Sequence, residues 1–110
     1  MRAIVASAIL AAILPAGAAF AQSEQLLAAE GKAILSGKCG RCHQVAPTGN
    51  SPLAAAPPFH EVMRRYPPED LEEALGEGLS SGHPEMPEFV FEPDEISAIL
   101  AYLETLHAKR

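Results

Sequence analysis

The chain has 110 residues, with 14 Asp and Glu against 8 Lys and Arg, a formal net charge of −6. That length allows one domain at most. The acidic balance argues against nucleic acid as a partner, because phosphate binding needs basic patches.

The first 21 residues read as a secretory signal peptide. Arg2 supplies a positive n-region, residues 3–14 form a short apolar run, Pro15 and Gly17 break it, and Ala19-Phe20-Ala21 offers a small-x-small cleavage site. A membrane span needs roughly 20 apolar residues and this run ends sooner, so no membrane anchor is expected after cleavage. No cysteine follows the cut, which disfavours a bacterial lipid anchor. Cleavage after about Ala21 releases a single domain, residues 22–110, into the periplasm. A domain that small buries little apolar surface by itself, so a large apolar cofactor would serve as much of its core.

Ser23 is a plausible N-cap, and Leu27, Ala28, Gly31, Ile34 and Leu35 recur at helical spacing. The spacing predicts a helix over residues 24–37. Gly31 is costly at its centre, by about 1 kcal/mol against alanine, and either a close helix crossing or a tolerated surface glycine accounts for it. Residues 44–58 contain Pro47, Pro52, Pro57 and Pro58, so they form a loop. Phe59, Val62, Met63 and Tyr66 predict a short helix over residues 59–66. Leu71, Ala74, Leu75 and Gly78 give a stripe over residues 68–77, opened by Pro68 with Glu69 and Asp70 in its first turn. Residues 78–91 form a second loop. Pro93 opens a last helix over residues 93–107, with Ile96, Ile99, Leu100, Leu103 and Leu106 on one face, Tyr102 beside them, and His107, Lys109 and Arg110 at its positive end.

Cys39-Gly40-Arg41-Cys42-His43 carries the chemistry. Two thiols three positions apart, followed by an imidazole, read as covalent haem attachment. Each thiol adds across one porphyrin vinyl group, and His43 is placed to ligate the iron. Three other readings compete. A redox dithiol needs a strand-helix-strand context, which is missing. Zinc needs a fourth ligand at finger-like spacing, and the next candidate is His60. A disulfide over so short a loop would do little for stability. In the loop after the motif, Pro52 is a candidate to offer its carbonyl to the second nitrogen of His43, and Leu53 to pack on the porphyrin face; equally, both are simply loop residues. Met86 stands between Pro84 and Pro87, which stiffen the backbone around it. Its soft thioether suits low-valent iron as the sixth ligand, with His83 as the main rival.

These residues resemble the class I monohaem c-type cytochromes, along the whole of residues 22–110. The resemblance rests on Cys39 to His43, on the lead from Gly31 to Cys39, on His83-Pro84-Glu85-Met86-Pro87 and on Ile99-Leu100-Ala101-Tyr102-Leu103. It implies an all-α cytochrome c fold, about four short helices wrapped around one covalent haem c. The N- and C-terminal helices would cross at a small–aromatic pair, matching Gly31 and Tyr102. It maps the Met ligand onto Met86, and the haem-binding residues onto Cys39, Cys42 and His43. Leu35 stands where the family usually has an aromatic residue.

The expected function is therefore single-electron transfer in the periplasm through a His43/Met86-ligated haem. No acid, base or nucleophile constellation points to an enzyme. A gas-binding or gas-sensing haem protein is the alternative, as is the electron-transfer subunit of a periplasmic dehydrogenase or oxidase. The chain is expected to be a monomer. Its acidity suits redox partners with a basic docking face, and equally serves plain solubility.

Overall fold

The computed structural model describes residues 4–108 apart from residues 6, 14 and 81. Arg2, Leu14, Lys109 and Arg110, which entered the readings of the two termini, lie outside the described residues. Four α-helices follow in order: α1 (Ala16–Lys38), α2 (Phe59–Arg65), α3 (Glu72–Glu77) and α4 (Pro93–His107), with a 3-10 turn, Pro68–Leu71, running into α3. No strand is present among the described residues. The predicted helix over residues 68–77 is thus realised in two parts, because the first turn after Pro67 tightens to a 3-10 geometry.

The first helix begins at Ala16, eight residues before the predicted start at residue 24. Ala16, Ala18, Ala19 and Ala21 are the strongest helix formers, and together they outweigh Gly17, which the helix carries in its first turn. Only the far end of α1 is packed, through Gly31 and Leu35. Ile4, Val5, Ile9, Leu10 and Ile13, ahead of the helix, are all at least 85% exposed and add nothing to the core.

The last helix forms as the sequence predicts. Glu92 and Glu95 make a reciprocal capping box around Pro93. The helix buries Ile96, Ala98, Ile99, Tyr102, Leu103 and Leu106. Helix α1 packs chiefly on this face, and α2 adds Met63, which has no exposed surface. His107 donates from Nδ1 to the Met63 carbonyl at 2.9 Å, tying the end of α4 to α2. Tyr66, predicted as part of the α2 stripe, is 53% exposed, because the helix ends at Arg65 and the chain turns extended there.

Gly31 lets α1 and α4 approach this closely. A Cβ built on it would lie 1.9 Å from the Ala98 carbonyl oxygen and 2.9 Å from the Ile99 nitrogen. The expected partner of Gly31 was Tyr102. The backbone nearest Gly31 is that of Ala98 and Ile99, one turn before Tyr102 on the same buried face of α4. The Tyr102 hydroxyl donates to the carbonyl of Val45, two residues beyond His43.

Candidate haem site

The Cys39-to-His43 pentapeptide is a turn grown from the end of α1. Cys39 and Gly40 both donate their backbone N–H to the Leu35 carbonyl, at 2.7 and 3.0 Å, and His43 N–H closes on the Cys39 carbonyl at 2.9 Å. A side chain at position 40 would collide with the Ser36 carbonyl, 2.4 Å from an ideal Cβ, so the turn demands glycine there. Both cysteines are free and half-buried. Burial, reinforced by the neighbouring Cys42, pushes the Cys39 thiol above its ordinary range. The Arg41 side chain is exposed.

An apolar cavity opens beside this turn. Its volume is about 70 Å³, and its walls are apolar throughout. Leu35 and Cys39 close one side, Leu71, Leu75 and Leu79 another, and Phe89, Phe91, Ile99 and Leu103 the rest. His43 and Met86 both line it. His83 does not line it and is exposed. The residues chosen from sequence as iron ligands thus meet on one cavity, although they lie far apart in the chain.

The imidazole of His43 is held from two directions. Its Nδ1 lies 2.7 Å from the Pro57 carbonyl, and Phe59 stacks on the ring at 5.0 Å between centroids and 8° between planes. A carbonyl only accepts, so Nδ1 carries the proton and Nε2 keeps its lone pair. The expected carbonyl was that of Pro52. Pro52 lies on a second, more polar hollow with Lys32, Ser36, Gln44 and His43 itself, and the loop folds so that Pro57, five residues on, supplies the carbonyl. Gln44 organises that fold: its N–H donates to Ser51 Oγ at 3.1 Å, its amide reaches the Asn50 carbonyl at 3.2 Å, and its carbonyl accepts from Phe59 N–H at 3.0 Å. His60 Nε2 pairs with the Gly49 carbonyl at 2.8 Å and further closes the loop. Leu53, expected on the porphyrin face, is 39% exposed and does not line the cavity, since its N–H is drawn to the Cys42 carbonyl at 3.1 Å.

Sequence reading missed Pro57 and Phe59. A backbone acceptor leaves no side-chain signature, so Pro57 could not have been singled out. Phe89 and Phe91 were also missed, and their alternate spacing in an extended segment was a usable sign that both face one way.

The site therefore defines a class: a small all-α protein folded around a flat apolar group bound through two thiols. The family model described as Cytochrome c matches residues 28–107. The chain belongs to the cytochrome c family. Neither a curated protein nor a solved structure matches it significantly. The cofactor is haem c, attached through Cys39 and Cys42; the apolar lining, the Cys39 thiol and the His43 imidazole of the cavity fit it, while the half-buried Cys42, three residues on, stands outside the lining. Its chemistry is haem-based electron transfer. No helix among the described residues is long and apolar enough to cross a membrane.

Proposed function

We propose that the protein is an exported carrier of single electrons, working in the periplasm as a monomer, with the haem iron held between His43 and Met86. The observation that carries this reading is that both side chains, with Cys39, line one apolar cavity. When bound, the haem supplies a metal that changes oxidation state by one electron.

The chain's own residues set the conditions for that exchange. Pro57 fixes the His43 tautomer, so Nε2 faces the metal as a neutral, strongly donating ligand. Phe59 holds the ring plane. Met86 offers a soft, uncharged sulfur, which favours the reduced metal and raises the potential. The apolar walls keep water from the metal and reinforce that preference. Export is supported by the exposed apolar run ahead of α1, which takes no part in the core, and by the family match beginning at residue 28.

The test is a reduced-minus-oxidised spectrum of the mature protein with and without carbon monoxide. Met86→Ala should abolish the methionine–iron charge-transfer absorption, lower the potential and open the reduced metal to carbon monoxide. His83→Ala should do none of these. Rapid carbon monoxide binding by the reduced wild type would replace the carrier reading with a gas-binding one.

A further inference from the structure

The charge of this protein is not spread evenly. Residues 66–108 contain 11 Asp and Glu and no Lys or Arg, whereas residues 22–65 contain 5 Lys and Arg and 3 Asp and Glu. The acidic half is the half that carries Met86.

The cavity opens on that half. Of the residues lining it, Pro87 alone is exposed; the others are buried or half-buried. Pro87 stands between Glu85 and Glu88, both exposed. Glu88 extends over the end of α3, where its carboxylate lies against the backbone at Gly78. The Phe91 N–H donates to the Leu75 carbonyl at 2.9 Å and joins the same segment to α3. Helix α3 continues the charge outward with Glu72, Glu73 and Glu77, all exposed. Carboxylates on two adjoining elements thus flank the exposed Pro87, and Lys38 also reaches this side, with its Nζ over the Phe89 ring at 5.9 Å from the centroid.

Resting on the electron-carrier reading, we propose that this acidic surface is the docking face for a redox protein with a basic patch, which seats over Pro87 between Glu85 and Glu88 and spreads onto α3. Opposite charge steers the partner to the opening, and little specific contact is needed for a brief encounter. Helix α1 offers no such face. Its carboxylates Glu24 and Glu30 lie about 21 and 12 Å along the helix axis from Lys38 at 1.5 Å per residue.

The experiment compares two double variants with the same change in net charge. Reduced holoprotein is oxidised in stopped flow at low ionic strength by tris(phenanthroline)cobalt(III), a cationic outer-sphere oxidant. Glu85→Gln with Glu88→Gln should slow the reaction about tenfold, a typical steering effect. Glu24→Gln with Glu30→Gln should change it less than about twofold. The gap should close in 1 M salt, where charges are screened within about 3 Å. A short lysine oligomer, standing in for the basic patch, should inhibit oxidation of the wild type and not of the first variant. Glu85→Gln alone, free of any packing on α3, should act in the same direction. Equal slowing by both pairs would mean that net charge alone matters, and would overturn the docking face while leaving the carrier reading intact. A haem that does not cycle reversibly would end the carrier reading, and the docking face with it.

Discussion

The crossing of α1 and α4 gives the sharpest test of the fold. In Gly31→Ala the new methyl would sit 1.9 Å from the Ala98 oxygen and 2.4 Å from its carbonyl carbon, where ordinary contact begins at 3.4 Å. The helices must therefore part by about 1.5 Å along that direction. Both surfaces are backbone, so no rotamer change relieves the clash. Overpacking costs about 1–3 kcal/mol, and a collision between two backbones belongs at the top of that range. Alanine returns about 1 kcal/mol of helix propensity, leaving a net loss of about 2 kcal/mol. For a domain of this size that lowers the melting temperature by about 8–16 °C. Gly37→Ala is the matched control: Gly37 lies in the same helix, and a Cβ there meets nothing within 4 Å. It should raise the melting temperature by a few degrees. Thermal unfolding of both holoproteins, followed by circular dichroism, decides the matter. If Gly31→Ala melts with or above the wild type, the close approach is not what the glycine provides.

Three further outcomes are expected. Tyr102→Phe leaves the Val45 carbonyl without its donor and should cost about 1–2 kcal/mol near neutrality, read from denaturant midpoints. Burial raises the Tyr102 pKa above its ordinary 10.0, so its contribution is complete below the unfolded value and is lost as pH climbs through the folded one; the phenylalanine variant should lack that alkaline loss. Cys39→Ala with Cys42→Ala removes the covalent anchors, and the apolar walls then face water. Far-ultraviolet dichroism should show helix without a cooperative melt, and a sharp wild-type-like transition would contradict the cofactor's place as part of the core. In guanidinium, the methionine–iron absorption of the wild type should disappear before the helical signal does; coincident loss would mean that the Met86 segment is as firmly held as the helices.

Most of the helices were legible because their periods are strong. Ile96, Ile99, Leu103 and Leu106 are buried as their spacing requires, and Pro93 opens α4. The start of α1 was not legible, since residues 16–21 read as an export signal while their alanines favour helix in any role. Cys39, His43 and Met86, which line one cavity, could be singled out because thiol, imidazole and thioether are scarce, and their chemistry narrows their use. The choice of Pro57 over Pro52 could not be read, because every residue offers a carbonyl and only the folded loop selects one. The backbone that Gly31 meets escaped for a related reason. The sequence of each helix fixes its own stripe, whereas the offset between two helices is set by their mutual packing, which brings the Ala98 carbonyl against Gly31 and the Tyr102 hydroxyl to Val45.

The two sides of the cavity are built with unequal stiffness, and this orders how the site should come apart. On the His43 side the chain leaves α1 through a hydrogen-bonded turn, and then Leu53, Phe59 and Tyr102 each bind back to the carbonyls of residues 42–45. The ring itself is gripped by Pro57 and Phe59. Moving His43 therefore means breaking contacts to α1, α2 and α4 together. On the Met86 side, backbone bonds from Gly78 to Ala74 and from Phe91 to Leu75 fasten the segment at its two ends, and the Met86 N–H is satisfied locally by the His83 carbonyl. Prolines 84 and 87 limit the segment's own conformations, and Phe89, toward its far end, packs on the core with Lys38 over its ring. A segment fastened at its ends can open at a free energy well below that of global unfolding. The Met86 side is thus the weaker side of the cavity. Under the proposed docking, a partner would meet the part of the site that yields most readily, while attachment through Cys39 and Cys42 keeps the haem in register.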